Sequence, residues 1–258
     1  MSVVLYEKRD RVAYITLNRP EAMNALNAEL YKGLSKAWTD FRDDPDVWVA
    51  VVTGAGEKAF CAGADLKTRI PHQPEMWEFW QTQSDPILNR NLDIWKPVIA
   101  AVNGYCLGGG MTMLLATDIR IGSENATFGL PEVKRGILPG NGGTQRTLRE
   151  LPYAVGMEIL LYGDRITAQE AYRIGLINKV VPQAELMSTA ESYARRLLEN
   201  PPLAVRAIKE LAIRSQGMHL VDGMRLEQAI SLALHQTEDA KEGPKAFAEK
   251  RKAAFKGR

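Results

Sequence analysis

Apolar and polar positions change period several times along the chain. Val3-Val4-Leu5-Tyr6 and Val12-Ala13-Tyr14-Ile15-Thr16-Leu17 are β-rich runs separated by Glu7-Lys8-Arg9-Asp10-Arg11, which predicts two strands and a turn. From Ala28 to Phe41 the spacing becomes helical: Leu30, Leu34, Trp38 and Phe41 share a face, and Asn27 stands before them as an N-cap. Trp48 to Thr53 and Pro97 to Val102 are continuous apolar runs, as strands buried on both faces need. Met111 to Ala116 reads as an apolar helix, and Ile119-Arg120-Ile121, Thr127-Phe128 and Leu176 to Val181 read as further strands. After Pro182 strand signals vanish. Leu186 to Glu199, Leu203 to Ser215, Leu220 to Leu234 and Pro244 to Phe255 are helical patterns, divided by Pro201-Pro202, Gly217 and Gly243. Strands alternating with helices argue for an α/β core, followed by a helical appendix that either closes the core or serves as a lid or assembly surface.

Composition narrows the function classes without naming one. The 258 residues carry 33 Lys+Arg against 31 Asp+Glu, a net charge of +2, which argues against a general nucleic-acid binder. With 45% hydrophobic and 25% charged residues, disorder over most of the chain is excluded. No apolar run reaches the roughly 18 residues of a membrane span, and Met-Ser-Val-Val-Leu-Tyr-Glu-Lys-Arg-Asp puts charges where a secretory signal needs apolar residues. A cytoplasmic protein is expected. Two cysteines, Cys61 and Cys106, and three scattered histidines, His72, His219 and His235, predict neither a disulfide framework nor a metal site.

Two loops carry candidate chemistry. Ala59-Phe60-Cys61-Ala62-Gly63-Ala64-Asp65-Leu66 follows the Trp48 to Thr53 strand, and Asn103-Gly104-Tyr105-Cys106-Leu107-Gly108-Gly109-Gly110-Met111 follows the Pro97 to Val102 strand. Small residues let a ligand approach the main chain, and an N–H at a helix start points outward with the dipole behind it. Two such donors converging on one carbonyl oxygen would form an oxyanion hole. The glycine run is not a phosphate-binding P-loop, because no Lys-Ser/Thr pair follows it, and its consecutive glycines fit a dinucleotide fingerprint poorly. Either loop alone is explained by tight turns and close helix packing; their pairing favours the chemical reading. Phe128-Gly129-Leu130-Pro131-Glu132-Val133 adds a carboxylate among apolar residues, where a raised pKa would suit proton exchange near neutrality. The turn Gly136 to Thr144 is placed to shape the same pocket, with Asn141 as a turn residue tolerating positive φ.

These segments together resemble the enoyl-CoA hydratase/isomerase, or crotonase, superfamily. The resemblance rests on Asn18 to Leu26, Phe60 to Leu66, Val102 to Gly110, Phe128 to Glu132, Gly142-Gly143-Thr144-Gln145-Arg146 and Phe247-Ala248-Glu249-Lys250-Arg251-Lys252, six segments in order across nearly the whole chain. It implies an α/β crotonase-like spiral of ββα units, with a core over residues 1–195 holding an acyl-CoA site. Residues 196–258 would be a C-terminal helical region for trimerisation or as a lid. The substrate is then an acyl-CoA thioester, with coenzyme A as part of the substrate and no separate cofactor, and the assembly a homotrimer or a dimer of trimers. The family's oxyanion donors map onto the N–H groups of Ala64 and Gly109. Its CoA contacts map near Ala25, Ala62, Asp65 and Leu66, and onto Phe247 and Lys250, the last two belonging either to the same subunit or to a neighbour.

The departure from the family pattern is as informative as the match. Hydratases of this kind carry two glutamates, one two residues after the glycine triplet and one in the Pro-Glu element; here Glu132 fills the second place and Thr112 the first. Threonine can hold a water but has no useful acid–base pKa near neutrality. One carboxylate suffices to move a proton between two carbons, so residue logic favours double-bond isomerisation of an enoyl-CoA, with Glu132 as base and acid and the dienolate held at Ala64 and Gly109. Hydration with a non-standard group at Thr112 is the alternative. A catalytically inactive acyl-CoA-binding protein is a rival, and decarboxylation or hydrolysis on the same scaffold is not excluded. Thr68 to Asn91, with Trp77, Phe79 and Trp80, is expected to shape the acyl pocket for bulky or ring-containing groups.

Overall fold

The computed structural model describes residues 2–66 and 86–258. Two sheets organise it. A six-stranded sheet contains β1 (Val4–Arg9), β2 (Val12–Leu17), β3 (Val49–Gly54), β5 (Val98–Val102), β7 (Ile119–Ser123) and β10 (Lys179–Val181) in the order β1-β2-β3-β5-β7-β10. A four-stranded sheet contains β4 (Ala59–Cys61), β6 (Tyr105–Leu107), β8 (Thr127–Gly129) and β9 (Ile166–Thr167) in the order β4-β6-β8-β9. The β1–β2 and β8–β9 pairs are antiparallel and the others parallel. The chain passes from large sheet to small sheet three times, as β3–β4, β5–β6 and β7–β8. Each pass stacks on the one before, which is the ββα spiral the resemblance implies.

Buried amides lock the corners of this spiral. Asn103 Nδ2 donates to Gly54 O at 2.9 Å and Gly56 O at 2.6 Å, and its Oδ1 accepts from Gly54 N at 3.2 Å, so one corner satisfies the backbone of the corner beneath it. Gly104 follows because there is no room: a Cβ there would lie 2.2 Å from Lys58 O.

The apolar strands face two cores, as continuous burial requires. Ala50 and Val52 of β3 point between the sheets toward Phe60, Phe128 and the helix α1 (Ala28–Asp43). Val49 and Val51 point outward with Leu186, Ala190 and Ala194 of the helix Leu186–Leu198. In α1, Asn27 Oδ1 accepts from Leu30 N at 2.9 Å, and Leu30, Leu34, Trp38 and Phe41 are all buried.

The remaining helices are α2 (Gly109–Leu114), α3 (Gly143–Glu150), α4 (Tyr153–Tyr162), α5 (Ala168–Arg173), α6 (Leu186–Leu198), α7 (Pro202–Arg214), α8 (Leu220–Leu234) and α9 (Glu238–Ala248). The division expected at 195/196 falls inside α6, which packs on the large sheet. Among the described residues no helix is long and apolar enough to cross a membrane.

Three local expectations change. The strand expected from Leu176 begins at Lys179, because Leu176 N donates back to Ala171 O at 2.9 Å and still closes α5. The final helix spans Glu238–Ala248 rather than Pro244 to Phe255. It starts where Thr237 Oγ1 accepts from Ala240 N at 3.1 Å, and Pro244 lies inside it. Past the helix the tail folds back, with Lys256 N and Gly257 N donating to Asp239 at 2.7 and 2.8 Å, while Phe255 packs on the outer core. The polar run expected as the first turn is largely strand: β1 continues to Arg9, and the hairpin closes through Asp10 and Arg11 alone, both at positive φ (49° and 65°), without the Asn-Gly that usually supplies such a turn.

Candidate active site

The ends of β4 and β6 lie side by side in the small sheet, with Ala59 opposite Tyr105 and Cys61 opposite Cys106. The loops they release therefore emerge together. Gly63 (φ 99°) and Gly108 (φ 53°) take backbone conformations that L side chains rarely adopt, and a Cβ on Gly63 would lie 3.5 Å from Gly109 N and 3.0 Å from Leu107 O. Reciprocally, a Cβ on Gly109 would lie 3.8 Å from Ala64 N. Leu26 N donates to Gly63 O at 2.8 Å and Asp65 N to Leu26 O at 2.9 Å, a parallel bridge that turns Ala64 N–H to the opposite side. Gly109 N–H sits in the first turn of α2, where no intrahelical acceptor precedes it. The two donors border one cavity of about 1000 Å³, also lined by Gly108, Thr112, Glu132 and Asn141.

A polar lattice fixes the first loop. Arg19 is paired with Asp65 at 3.1 Å and donates to Ala25 O at 2.5 Å. Arg19 N donates to Asn24 Oδ1 at 2.9 Å, and Asn24, fully buried at φ 54°, donates to Ala59 O at 2.7 Å. Ala62 N donates to Met23 O at 3.0 Å. The Asn18 to Leu26 segment is thus a brace for the loop bearing Ala64. Asp65 spends its carboxylate on Arg19, so what this stretch offers a ligand is backbone and the exposed side chain of Leu66.

Glu132 belongs to a 3₁₀ turn, Pro131–Arg135, that follows β8. Its Oε1 lies 3.1 Å from the place a Cβ would occupy on Gly108, which puts the carboxylate against the loop of the second donor. Its Oε2 is buried with no hydrogen-bond partner among the described residues. Burial holds this carboxyl above its ordinary value, against the opposing pull of its own backbone N–H and of Arg135. Among the described residues lining the cavity, Glu132 is the only carboxylate.

Thr112 occupies the wall facing α3. It is 2% exposed, its Oγ1 donates to Gly108 O at 3.2 Å, and a Cβ on Gly143 would lie 3.0 Å from that oxygen. The hydroxyl keeps lone pairs for a water and has no proton to give up near neutrality. Asn141 is at φ 52°, with its Oδ1 accepting from Arg90 at 3.1 Å and its carbonyl from Arg146 at 3.0 Å, a structured turn residue. Cys61 and Cys106 lie beneath the donors, and burial pushes the Cys61 thiol up to about 12 and Cys106 well above the usual thiol value, so neither offers a thiolate.

Of the residues expected from the sequence, Ala62, Ala64, Leu66, Gly109, Thr112 and Glu132 line the cavity, and Ala25 and Asp65 buttress it. Phe247 and Lys250 do not line it; they lie at the end of α9, with Phe247 87% exposed. Trp77, Phe79 and Trp80 lie outside the described residues. Ile137 and Leu138, in the Gly136 to Thr144 turn expected to shape the pocket, do line it; Tyr31, Arg135 and Arg165 also line it and carry no local sequence signal, since their approach depends on tertiary contacts.

Comparison with known proteins agrees with this geometry. A profile of the family described as Enoyl-CoA hydratase/isomerase matches residues 7–258. The chain is 46% identical over 254 residues to (E)-benzylidenesuccinyl-CoA hydratase of Thauera aromatica, covering 98% of this chain and 99% of that one. It is 44% identical over 249 residues to carnitinyl-CoA dehydratase of Salmonella enteritidis, covering 95% and 94%. Among solved structures, enoyl-CoA hydratase from Mycobacterium tuberculosis superposes with a TM-score of 0.92 at 37% identity over 100% of both chains. The enzyme from Bacillus anthracis superposes with a TM-score of 0.91 at 36% identity over 99% and 100%. A profile match over nearly the whole chain, relatives 44–46% identical along nearly their full length and a shared spiral fold make this chain an acyl-CoA enzyme of the enoyl-CoA hydratase/isomerase family.

Proposed function

We propose that the chain interconverts a 2-enoyl-CoA and water with the corresponding 3-hydroxyacyl-CoA, using Glu132 as sole general base and acid. The observation that carries this reading is Glu132, the only carboxylate among the described residues lining the cavity, buried on one oxygen and set against the Gly108–Gly109 loop. In the hydration direction Glu132 takes a proton from water as the water oxygen bonds to the β carbon. The π electrons move through the α carbon onto the thioester oxygen, which the N–H groups of Ala64 and Gly109 hold. The enolate then collapses and takes the same proton from Glu132 at the α carbon. A donor of this kind is worth about 2.7–4 kcal/mol in the transition state, and positioned acid–base catalysis about 10²–10⁴ in rate. Thr112 Oγ1 accepts a hydrogen bond from the attacking water.

The names of the two relatives, a hydratase and a dehydratase, support this over isomerisation. Isomerisation of a 3-enoyl-CoA remains the second reading because Thr112 stands where a second carboxylate would be, and a proton shift between two carbons needs only one. The coenzyme A portion runs past Ala25, Ala62, Asp65 and Leu66. Phe247 and Lys250 reach it from a neighbouring subunit of a homotrimer or dimer of trimers, which accounts for their distance from the cavity of their own chain.

Purified protein given 2-enoyl-CoA and 3-enoyl-CoA separately tests this. Hydration predicts loss of the conjugated thioester absorbance with the first, and a fall in kcat of about 10²–10⁴ in Glu132→Gln. Turnover of the 3-enoyl thioester alone installs the second reading. Binding without turnover of either would make the chain an acyl-CoA-binding protein, and undiminished turnover by Glu132→Gln removes that carboxylate from the mechanism.

A further inference from the structure

The cavity holds cations that the proposed reaction does not use. Arg135 lies three residues past Glu132 on the same 3₁₀ turn, and Arg165 immediately precedes β9; both line the cavity, and both border an adjoining depression with Pro131. The two carriers are pressed together. A Cβ on Gly129 would lie 2.9 Å from Asp164 O and 3.4 Å from Arg165 Cα, and one on Gly163 would lie 3.2 Å from Pro131 Cα. The nearby carboxylate of Asp164 is taken by Lys134. Arg135 donates from Nη1 to Pro131 O at 3.2 Å, and the Arg165 guanidinium lies over the Tyr105 ring at 4.8 Å. Among the described residues no carboxylate pairs with either arginine. Each guanidinium has five donors in a planar fork, so most of both forks is left to a ligand.

We propose that Arg135 and Arg165 form an anion subsite that reads a carboxylate carried by the acyl group, making the preferred substrate the CoA monothioester of a dicarboxylic acid. This rests on the placement of Glu132 at the reacting carbons. Position decides between an acyl carboxylate and the phosphates of coenzyme A as the anion. Arg135 follows Glu132 by three residues on one 3₁₀ turn, where side chains at that spacing lie one above the other, both line the cavity, and Glu132 lies beside the donors proposed to hold the thioester oxygen. An anion on Arg135 is therefore on the Glu132 side of the cavity, where the acyl group would react, whereas the phosphates sit at the far end of the pantetheine arm. A planar fork matches a carboxylate with two parallel hydrogen bonds, and such charge-assisted pairs correspond to about 10- to 100-fold in affinity.

The test uses saturated thioesters, which can be neither hydrated nor isomerised, so its outcome does not depend on the reaction assigned to Glu132. Calorimetric affinities of glutaryl- and adipyl-CoA are compared with those of pentanoyl- and hexanoyl-CoA in the wild type, Arg135→Met, Arg165→Met and the double variant, with free coenzyme A as reference. The expected result is a wild-type preference of about 10- to 100-fold for the carboxylated member of a pair, reduced in each single variant and brought to about one in the double. Equal wild-type affinities within both pairs overturn the subsite, and that arm stands even if the double variant fails to fold. So does a parallel weakening of both thioesters and of free coenzyme A in the single variants, which would assign the arginines to the phosphates. If the preference is absent while turnover still requires Glu132, the subsite fails and the proposed reaction stands; the opposite pattern does the reverse.

Discussion

Glu132 must be charged to act as a base, in a place where charge is disfavoured. One of its oxygens is buried without a partner among the described residues, and desolvation raises the carboxyl above its ordinary value. A carboxyl raised in the folded state binds its proton more tightly there than in the unfolded chain, so its ionisation at neutral pH works against the fold. Glu132→Gln, which keeps the shape and removes the charge, is therefore expected to melt higher than the wild type at neutral pH while losing turnover. The difference should shrink as pH falls through the raised value, because the wild-type carboxyl then becomes neutral as well. Thermal melts of both proteins across that range check it, and a variant that melts lower throughout would show the carboxylate to be structurally needed. The same shift places the acid limb of kcat/KM above the ordinary carboxylate range.

At the scale of single elements, α9 ends in an unusual way. Arg251 N donates to Ala246 O at 3.0 Å and Lys250 N to Phe247 O at 3.2 Å, a closure that puts Lys250 at φ 53°, the position glycine normally fills. A lysine held there costs stability that a ligand contact would justify. Lys250→Gly should accordingly stabilise the chain by about 0.5–1 kcal/mol in urea unfolding and raise KM for acyl-CoA with little change in kcat. An unchanged KM would remove Lys250 from the CoA contacts.

The strands of the large sheet and α1 were legible in the sequence because their burial is periodic and their cap is local. The donor loops were legible because small residues are visible in a string. The turn joining β1 to β2 was legible, but its narrowing to Asp10–Arg11 and their left-handed backbone were not, and the start of α9 was not, because Pro244 looks like a helix start while Thr237 supplies one. The braces at Asn24 and Asn103 escaped notice because their partners lie 31–49 residues away. Arg135 and Arg165 reach one cavity because the β8–β9 pairing brings the residue before β9 beside the turn that follows β8.

For the whole molecule, the C-terminal helices present the open question of cover. None of the residues of α8 is buried within the chain, and Leu220, Val221, Met224 and Leu232 are all more than half exposed. One face of α8, with Leu226, Ile230 and Leu234 half-buried, packs toward α7, and the exposed apolar patch left on the other face is of the kind that marks an interface. Assembly into trimers would cover it. Met224→Glu with Leu232→Glu is expected to reduce the mass seen by light scattering from trimer or hexamer toward monomer, and to lower activity if Phe247 and Lys250 serve a neighbour's cavity. Retention of the wild-type mass by this variant would place the interface elsewhere.

The stacking of β4 on β6 also sets a ruler. Ala64 follows one rung of the small sheet and Gly109 the next, so the spacing of their N–H groups is tied to the interval of about 4.8 Å between hydrogen-bonded strands. That interval belongs to the peptide backbone and is indifferent to which side chains line the cavity. Acyl specificity can therefore drift by exchange of wall residues such as Arg135 or Leu138 while the spacing of the two N–H groups stays in register, and the substitutions able to spoil that spacing are the ones that wedge the rungs apart, such as any side chain at Gly110, where a Cβ would meet Cys61 O at 2.4 Å.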